Sequence, residues 1–236
     1  MANTYSLDLE LSSSQYASDT SPSANLNISA GLTNWGWVKF ESLADGEQQC
    51  VSHRDTGTSY FPYGFLLSVT SGVGTLMFRH RNTSNETETA SVAWTPTVAT
   101  WYFVAVTVSG STVKFYVGDV DTVPAQQGSN QTLSYTRTAA GSPIFFLGSS
   151  TGSAAFFDGL LDEWRIYNAA LTDFSGYKTE AVGNEANLQG YWKLNNDYTD
   201  STANDTDLTA SGSPVFSTDV PFVGAVKKSG LFSKFW

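Results

Sequence analysis

The sequence predicts an all-β protein built as an antiparallel two-sheet sandwich, and three observations predict it. Aromatic residues make up 14% of the chain, charged residues only 14%, and there are 20 glycines; this balance suits strands and turns rather than helices. Apolar and polar residues alternate repeatedly over short stretches, the period of a strand packed on one side. Gly, Ser, Asn and Asp clusters separate those stretches at short intervals, as in sandwiches. At 236 residues one large core is expected rather than two small ones.

In order along the chain, "YSLDLELSS" puts Tyr5, Leu7, Leu9 and Leu11 on one face and Ser6, Asp8, Glu10 and Ser12 on the other, a one-sided strand. Further strands are expected at 35–40, 64–69, 75–79 and 91–94. Residues 101–108 and 112–117, joined by Ser109-Gly110-Ser111, form the clearest hairpin. A strand follows at 143–147. In "FFDGLLDEWRIYNAALT" the strand period sets Leu160, Asp162, Trp164 and Ile166 on one face and Leu161, Glu163, Arg165 and Tyr167 on the other. The next stretch, "NAALTDFSGYKTEAVG", is the one helical candidate, a short helix near 172–180 with Thr172 as N-cap. A last strand is expected at 188–194.

Four blocks, "LNISAGLTNWGWVKFESL", "PTVATWYFVAVTVSGSTVKFYVGD", "PIFFLGSS" and "FFDGLLDEWRIYNAALT", in this order and spacing resemble the laminin-G-like branch of the concanavalin A-like jelly rolls. The resemblance covers roughly residues 5–175 and implies two antiparallel sheets in a jelly roll. Relatives bind glycans, proteins or calcium, and some cleave polysaccharides, so the fold does not choose the function. "LQGYWKLNNDYTDSTANDTDLTASGSPVFSTDVPF" resembles a segment that in many relatives precedes the first block. About 40 residues seldom fold alone, so residues 188–222 are expected to close the same sandwich, like a circular permutation. The expected organisation is one domain over 1–222 and a tail over 223–236.

Asp162 is the first candidate site, because an ionised carboxylate in an apolar row is costly without compensation. An internal hydrogen-bond network is the favoured reading. The other makes Asp162, with Asp8, a ligand of calcium, the one cofactor the resemblance brings in. Calcium takes several oxygen ligands; Glu10, Asp158, Asp197, Asp200, Asp205 and Asp207 are available, but no segment has the spacing of a dedicated calcium loop. Glu163 and Arg165 read as an exposed ion pair on the sheet surface, and His53 and His80 as surface or loop histidines.

Catalysis is not expected. Glucanases of this superfamily carry acids on alternate positions of one strand, as Glu-x-Asp-x-Glu, and the chain offers only Asp8 and Glu10 in its first strand. Glycoside hydrolysis needs two carboxylates across the scissile bond, and there is no nucleophile elbow, phosphate loop or zinc pattern. Ring faces that stack on sugars carry the better signal: Trp35 and Trp37, on one face with Lys39, and Tyr60 and Tyr63 in "SHRDTGTSYFPYGF" are the expected ligand-binding residues.

The formal charge is −10, and the first 226 residues hold nine basic against 22 acidic residues, which repels nucleic acid and anionic membranes. A lone Cys50 forbids an internal disulfide, and neither a signal-peptide pattern nor a membrane span is visible. "GAVKKSGLFSKFW" joins Lys227, Lys228 and Lys234 to Leu231, Phe232, Phe235 and Trp236, a peptide expected to dock on a neighbouring subunit or another protein. The expected function is a non-enzymatic adhesion module on a virion or extracellular surface, such as a phage decoration or tail protein that binds glycans. The alternatives are a structural cement without sugar binding and, third, a polysaccharide-cleaving enzyme.

Overall fold

A computed structural model describes residues 3–19, 21, 23–55, 60–81, 84, 86–139, 141 and 143–222. Among the described residues, fifteen strands are arranged in two antiparallel sheets. They are β1 (Ser6–Leu9), β2 (Tyr16–Ser18), β3 (Leu32–Phe40), β4 (Gly46–Asp55), β5 (Phe61–Thr70), β6 (Val73–Arg81), β7 (Thr87–Ala93) and β8 (Trp101–Ser109), then β9 (Thr112–Asp119), β10 (Ala125–Thr132), β11 (Pro143–Leu147), β12 (Gly159–Tyr167), β13 (Leu188–Trp192), β14 (Thr209–Ser211) and β15 (Val215–Ser217). The first sheet runs β10-β9-β8-β3-β12-β1-β15, with β13 also on β12; the second runs β14-β2-β11-β4-β5-β6-β7. This is the jelly-roll sandwich the sequence leads one to expect. Among the described residues no helix is long and apolar enough to cross a membrane.

Between the sheets lies a core of Leu7, Val38, Phe40, Phe65, Phe78, Val104, Phe115, Phe145, Trp164 and Trp192 with their neighbours. Residues 188–222 add β13 and β15 to one sheet and β14 to the other, and Trp192 stacks on Phe145 of the opposite sheet at 4.6 Å. Gly36 makes room for the Trp164 indole: a Cβ there would stand 2.2 Å from Trp164 Cε3.

A second apolar layer covers the outer face of the first sheet. Phe174 packs on Tyr116 at 4.8 Å, and Tyr177 stacks on Trp37 at 5.6 Å. The Trp37 Nε1–H donates to the Tyr177 carbonyl at 3.1 Å, and Thr33 anchors the start of the segment through Ala169 and Leu171. The expected helix at 172–180 is absent. The segment instead lies along the sheet with single turns, Tyr177 N to Phe174 O and Thr179 N to Gly176 O, because Phe174 and Tyr177 are held against strand side chains.

Strand β12 also departs from simple alternation. Its register with β3 slips between Asp162 and Arg165, and Glu163 takes a left-handed φ of 52°, the mark of a β-bulge. Leu161 before the bulge and Trp164 and Ile166 after it therefore share the inner core, whereas Leu160 and Tyr167 lie in the outer layer. The bulge separates Asp162 from the row of Trp164 and Ile166, contrary to strict period two.

Nor are Glu163 and Arg165 exposed; both are buried. Arg165 Nη2 donates to Glu163 Oε2 at 2.8 Å and to the Thr179 carbonyl at 2.7 Å, and the Tyr191 hydroxyl donates to the same carboxylate at 2.5 Å. The guanidinium lies between the Trp35 and Tyr191 rings, 4.2 and 4.4 Å from their centroids, so two π-faces and a carboxylate replace its lost hydration. Asp162 accepts from Asn3 Nδ2 at 2.6 Å and from the Glu163 amide at 2.9 Å. Burial, with the Glu163 charge alongside, raises its carboxyl well above the usual range.

His53 and His80 are also buried, not surface residues, because their strands β4 and β6 turn them into the sandwich. Burial pushes the His53 pKa down to about 3, outweighing a backbone hydrogen bond at Pro143 that raises it.

Two predictions follow from this packing. Arg165→Met leaves the buried Glu163 carboxyl without its cation, only the Tyr191 hydroxyl remaining, and should destabilise the fold by about 3–5 kcal/mol, read as a lower urea midpoint. His53 has a folded pKa below its unfolded value, so its contribution is present above pH ~6.5 and lost as pH falls toward 3, on the order of 4–5 kcal/mol. His53→Phe should flatten the acid limb of stability against pH over that window, measured by chemical denaturation.

Candidate functional site

The two sheets differ in what their outer faces can meet. On the first sheet, Trp35 is 4% exposed and Trp37 fully enclosed, so the platform expected on β3 is corrected: residues 168–187 lie over it. Lys39 pairs with Asp219, whose other oxygen takes the Trp101 Nε1–H at 2.8 Å. Tyr63 points inward, its hydroxyl donating to the Leu26 carbonyl at 3.0 Å, and is not a surface ring either. Tyr60 is half-buried just ahead of β5, its carbonyl accepting the Asp55 amide at 2.9 Å. The docking residues Lys227, Lys228, Leu231, Phe232, Lys234, Phe235 and Trp236 lie outside the described residues.

Among the described residues the second sheet is covered only in part, where the Ser52 hydroxyl donates to the Ser149 and Ser150 carbonyls. Register aligns Ser52 of β4, Gly64 of β5, Arg79 of β6 and Thr89 of β7 across its outer face. Arg79 grips Glu47 with two bonds, 3.0 and 2.6 Å, and Arg54 lies over the Phe61 ring at 5.2 Å. A hollow of ≈ 130 Å³ sits among these side chains, floored by Gly64 and Leu66. It shares Glu47 and Ser150 with a larger groove of ≈ 390 Å³ at the start of β4. There Leu11, Ala44, Ala154 and Phe156 supply apolar surface, and Asp45, Glu47, Gln48 and Ser150 supply polar groups. Phe156 packs beside Tyr16, its ring tilted 32° from the Tyr16 plane with centroids 6.3 Å apart. An apolar floor with a few converging polar groups is the usual make-up of a small-ligand site.

Beside this groove stands an acidic cluster. Asp8, Glu10 and Glu41 bring carboxylate oxygens within 4.8 Å of one another. Asp158 links cluster to groove: its carboxylate accepts from the Leu11 amide at 3.1 Å and the Ser42 hydroxyl at 2.5 Å, and its amide donates to Gln48 Oε1 at 3.2 Å. Burial, then Glu10 and Asp158, raise the Asp8 carboxyl; burial, then Asp8, Glu10 and Asp158, raise Glu41. Asp8 Oδ1 is buried without a hydrogen-bond partner. Hard oxygen ligands from three or four carboxylates suit a calcium ion. Asp162 is not among them, its two oxygens being taken by Asn3 and the Glu163 amide. Glu41, which completes the cluster, sits 31 residues after Glu10 and carries no local signal of its role.

The family model of the concanavalin A-like lectin/glucanases superfamily matches residues 11–174. A search of curated proteins found no match. Among solved structures, a candidate carbohydrate binding protein from Bacteroides ovatus superposes with a TM-score of 0.66 at 13% identity, covering 95% of this chain and 62% of that one; the chain thus spans less than two thirds of that protein. A heptameric SAP-like pentraxin from Limulus polyphemus gives 0.62 at 11% identity, covering 91% and 94%. The enzymatically active domain of tailspike protein 2 from bacteriophage CBA120 gives 0.56 at 12%, covering 81% and 33%. At such identities the likeness is one of fold.

Proposed function

Because the chain belongs to the concanavalin A-like lectin/glucanases superfamily, we propose that it is a non-enzymatic glycan-recognition module whose ligand lies in the groove beside Phe156. The observation that carries this reading is the asymmetry of the sandwich among the described residues: one outer face is closed over by residues 168–187, and the other presents a hollow and an adjoining groove. Leu11 and Phe156 offer C–H and ring surface to the apolar face of a sugar, while Asp45, Glu47, Gln48 and Ser150 fix its hydroxyls. The carbohydrate binding named for the Bacteroides ovatus protein supports the same ligand class.

Calcium is the cofactor of this reading. Asp8, Glu10 and Glu41 would hold the ion, with Asp158 behind them, and the unpaired Asp8 Oδ1 fits the role. When bound, the ion neutralises the crowded carboxylates and stiffens the two segments that line the groove, 10–15 and 41–48.

For placement we favour a phage virion, as a decoration or tail protein. The fold shared with a phage tailspike and the basic, aromatic stretch 227–236 after an acidic body support it.

On a glycan array, the full chain in calcium should bind a defined set of sugars; Phe156→Ala should weaken that binding at least tenfold, and chelation or Glu10→Gln should weaken it too. Unaltered binding in Phe156→Ala would rule out the groove, and cleavage of the bound glycans would restore the enzyme reading. Deleting residues 227–236 should leave glycan binding intact and abolish incorporation into particles, scored by co-sedimentation.

A further inference from the structure

A second pocket opens at the other end of β3. Residues 29–31, the β8–β9 turn and residues 133–137 enclose ≈ 420 Å³. Arg137 lines it and is only 5% exposed. Its Nη1 donates to the Ile28 carbonyl at 3.1 Å and its Nη2 to the Ala30 carbonyl, while its Nε has no partner. A guanidinium has five N–H donors, so three remain beyond these two bonds.

Among the described residues the charge meets the Phe78 ring, 5.9 Å from its centroid, but no opposite charge. Among the described residues no carboxylate is ion-paired with Arg137. Glu88, the acid on the neighbouring strand, is committed to the amides of Ser134 and Tyr135 at 2.6 and 2.9 Å and faces His80 at 3.6 Å. Asp19 gives one oxygen to the Phe145 amide at 2.9 Å and keeps the other buried and unpaired. A buried cation without a counter-charge costs several kcal/mol, and two backbone carbonyls and one ring face offer only partial compensation.

We infer that this pocket is a second subsite, one that takes the carboxylate of an acidic sugar. The guanidinium fork matches a planar carboxylate. Tyr135, 41% exposed at the rim, presents a ring to the sugar face, and the hydroxyls of Ser29, Ser111 and Ser134 are placed to meet sugar hydroxyls. A single carboxylate suits the site better than a polyanion, since the acidic body around it repels dense negative charge. The inference rests on the glycan-binding reading and adds the ligand's chemical class.

The test titrates the full chain with glucuronic acid and N-acetylneuraminic acid, with glucose and N-acetylglucosamine as neutral counterparts, and with acetate as a bare carboxylate, followed by NMR shifts of the 133–137 amides. The acidic sugars should bind at least tenfold more tightly than both the neutral sugars and acetate. Arg137→Gln should erase that preference. Because Arg137 also holds the Ile28 and Ala30 carbonyls, the surface variant Tyr135→Ala is run beside it and should weaken the acidic sugars at least fivefold with an unchanged melting temperature. Equal affinity for acidic and neutral sugars, acetate binding as tightly as the acids, or no shift at 133–137 would overturn the inference. Glycan-array binding sensitive to Phe156→Ala, tested alongside, separates failure of this subsite from failure of the groove.

Discussion

The sandwich depends on how Arg165 is held. A guanidinium at the centre of a sheet is tolerated because a carboxylate, a backbone carbonyl and two ring faces surround it, and these partners come from four separate segments. Glu163 sits in the bulge of β12, Trp35 on β3, Tyr191 on β13 and Thr179 in the covering segment. The left-handed backbone at Glu163 is unfavourable for a non-glycine residue, and the pairing it permits offsets that strain. The bulge thus sets the phase of β12: Trp164 goes inward beside Gly36, and Arg165 goes outward under the cover.

The same cover decides where function can reside. By burying Trp35, Trp37, Phe103 and Tyr116, residues 168–187 turn the first sheet into a closed three-layer wall. The second sheet keeps Glu47 and Arg79 in reach of solvent, and the groove forms where β4 leaves the loop after Phe40. Both candidate regions lie at ends of the sandwich, where loops from both sheets meet and backbone is least committed to ladders.

Much of this was legible in the sequence because alternation is a local signal. Strands β1, β3, β8, β9, β11 and β13 fall where the one-sided pattern places them. Strand β4 leaves no such pattern, because "GEQQCVSHRD" mixes polar and apolar residues; it carries its own bulge near Cys50 and buries His53 and Asp55. The polar "AQQGSNQT" of β10 is an exposed edge strand with no apolar row to read. Trp35 and Trp37 read as possible binding rings because what covers them arrives some 140 residues later, and no local pattern records such an encounter. Asp8 and Glu10 were visible on one strand face, but Glu41 joins them only through the β1–β12–β3 ladder. The bulge at Glu163 has no glycine to announce it.

The four outermost strands have one more consequence. On one flank, β14 and β15 are three residues each and are joined by a tight turn that passes from one sheet to the other. On the other flank, Gln127 of β10 reaches the Ala93 carbonyl of β7 at 2.9 Å, and β10 breaks register between Gln127 and Gln131. Short, irregular and mutually stitched margins give a foreign strand little template to extend. Copies of the chain can therefore crowd against one another without zipping into aggregates.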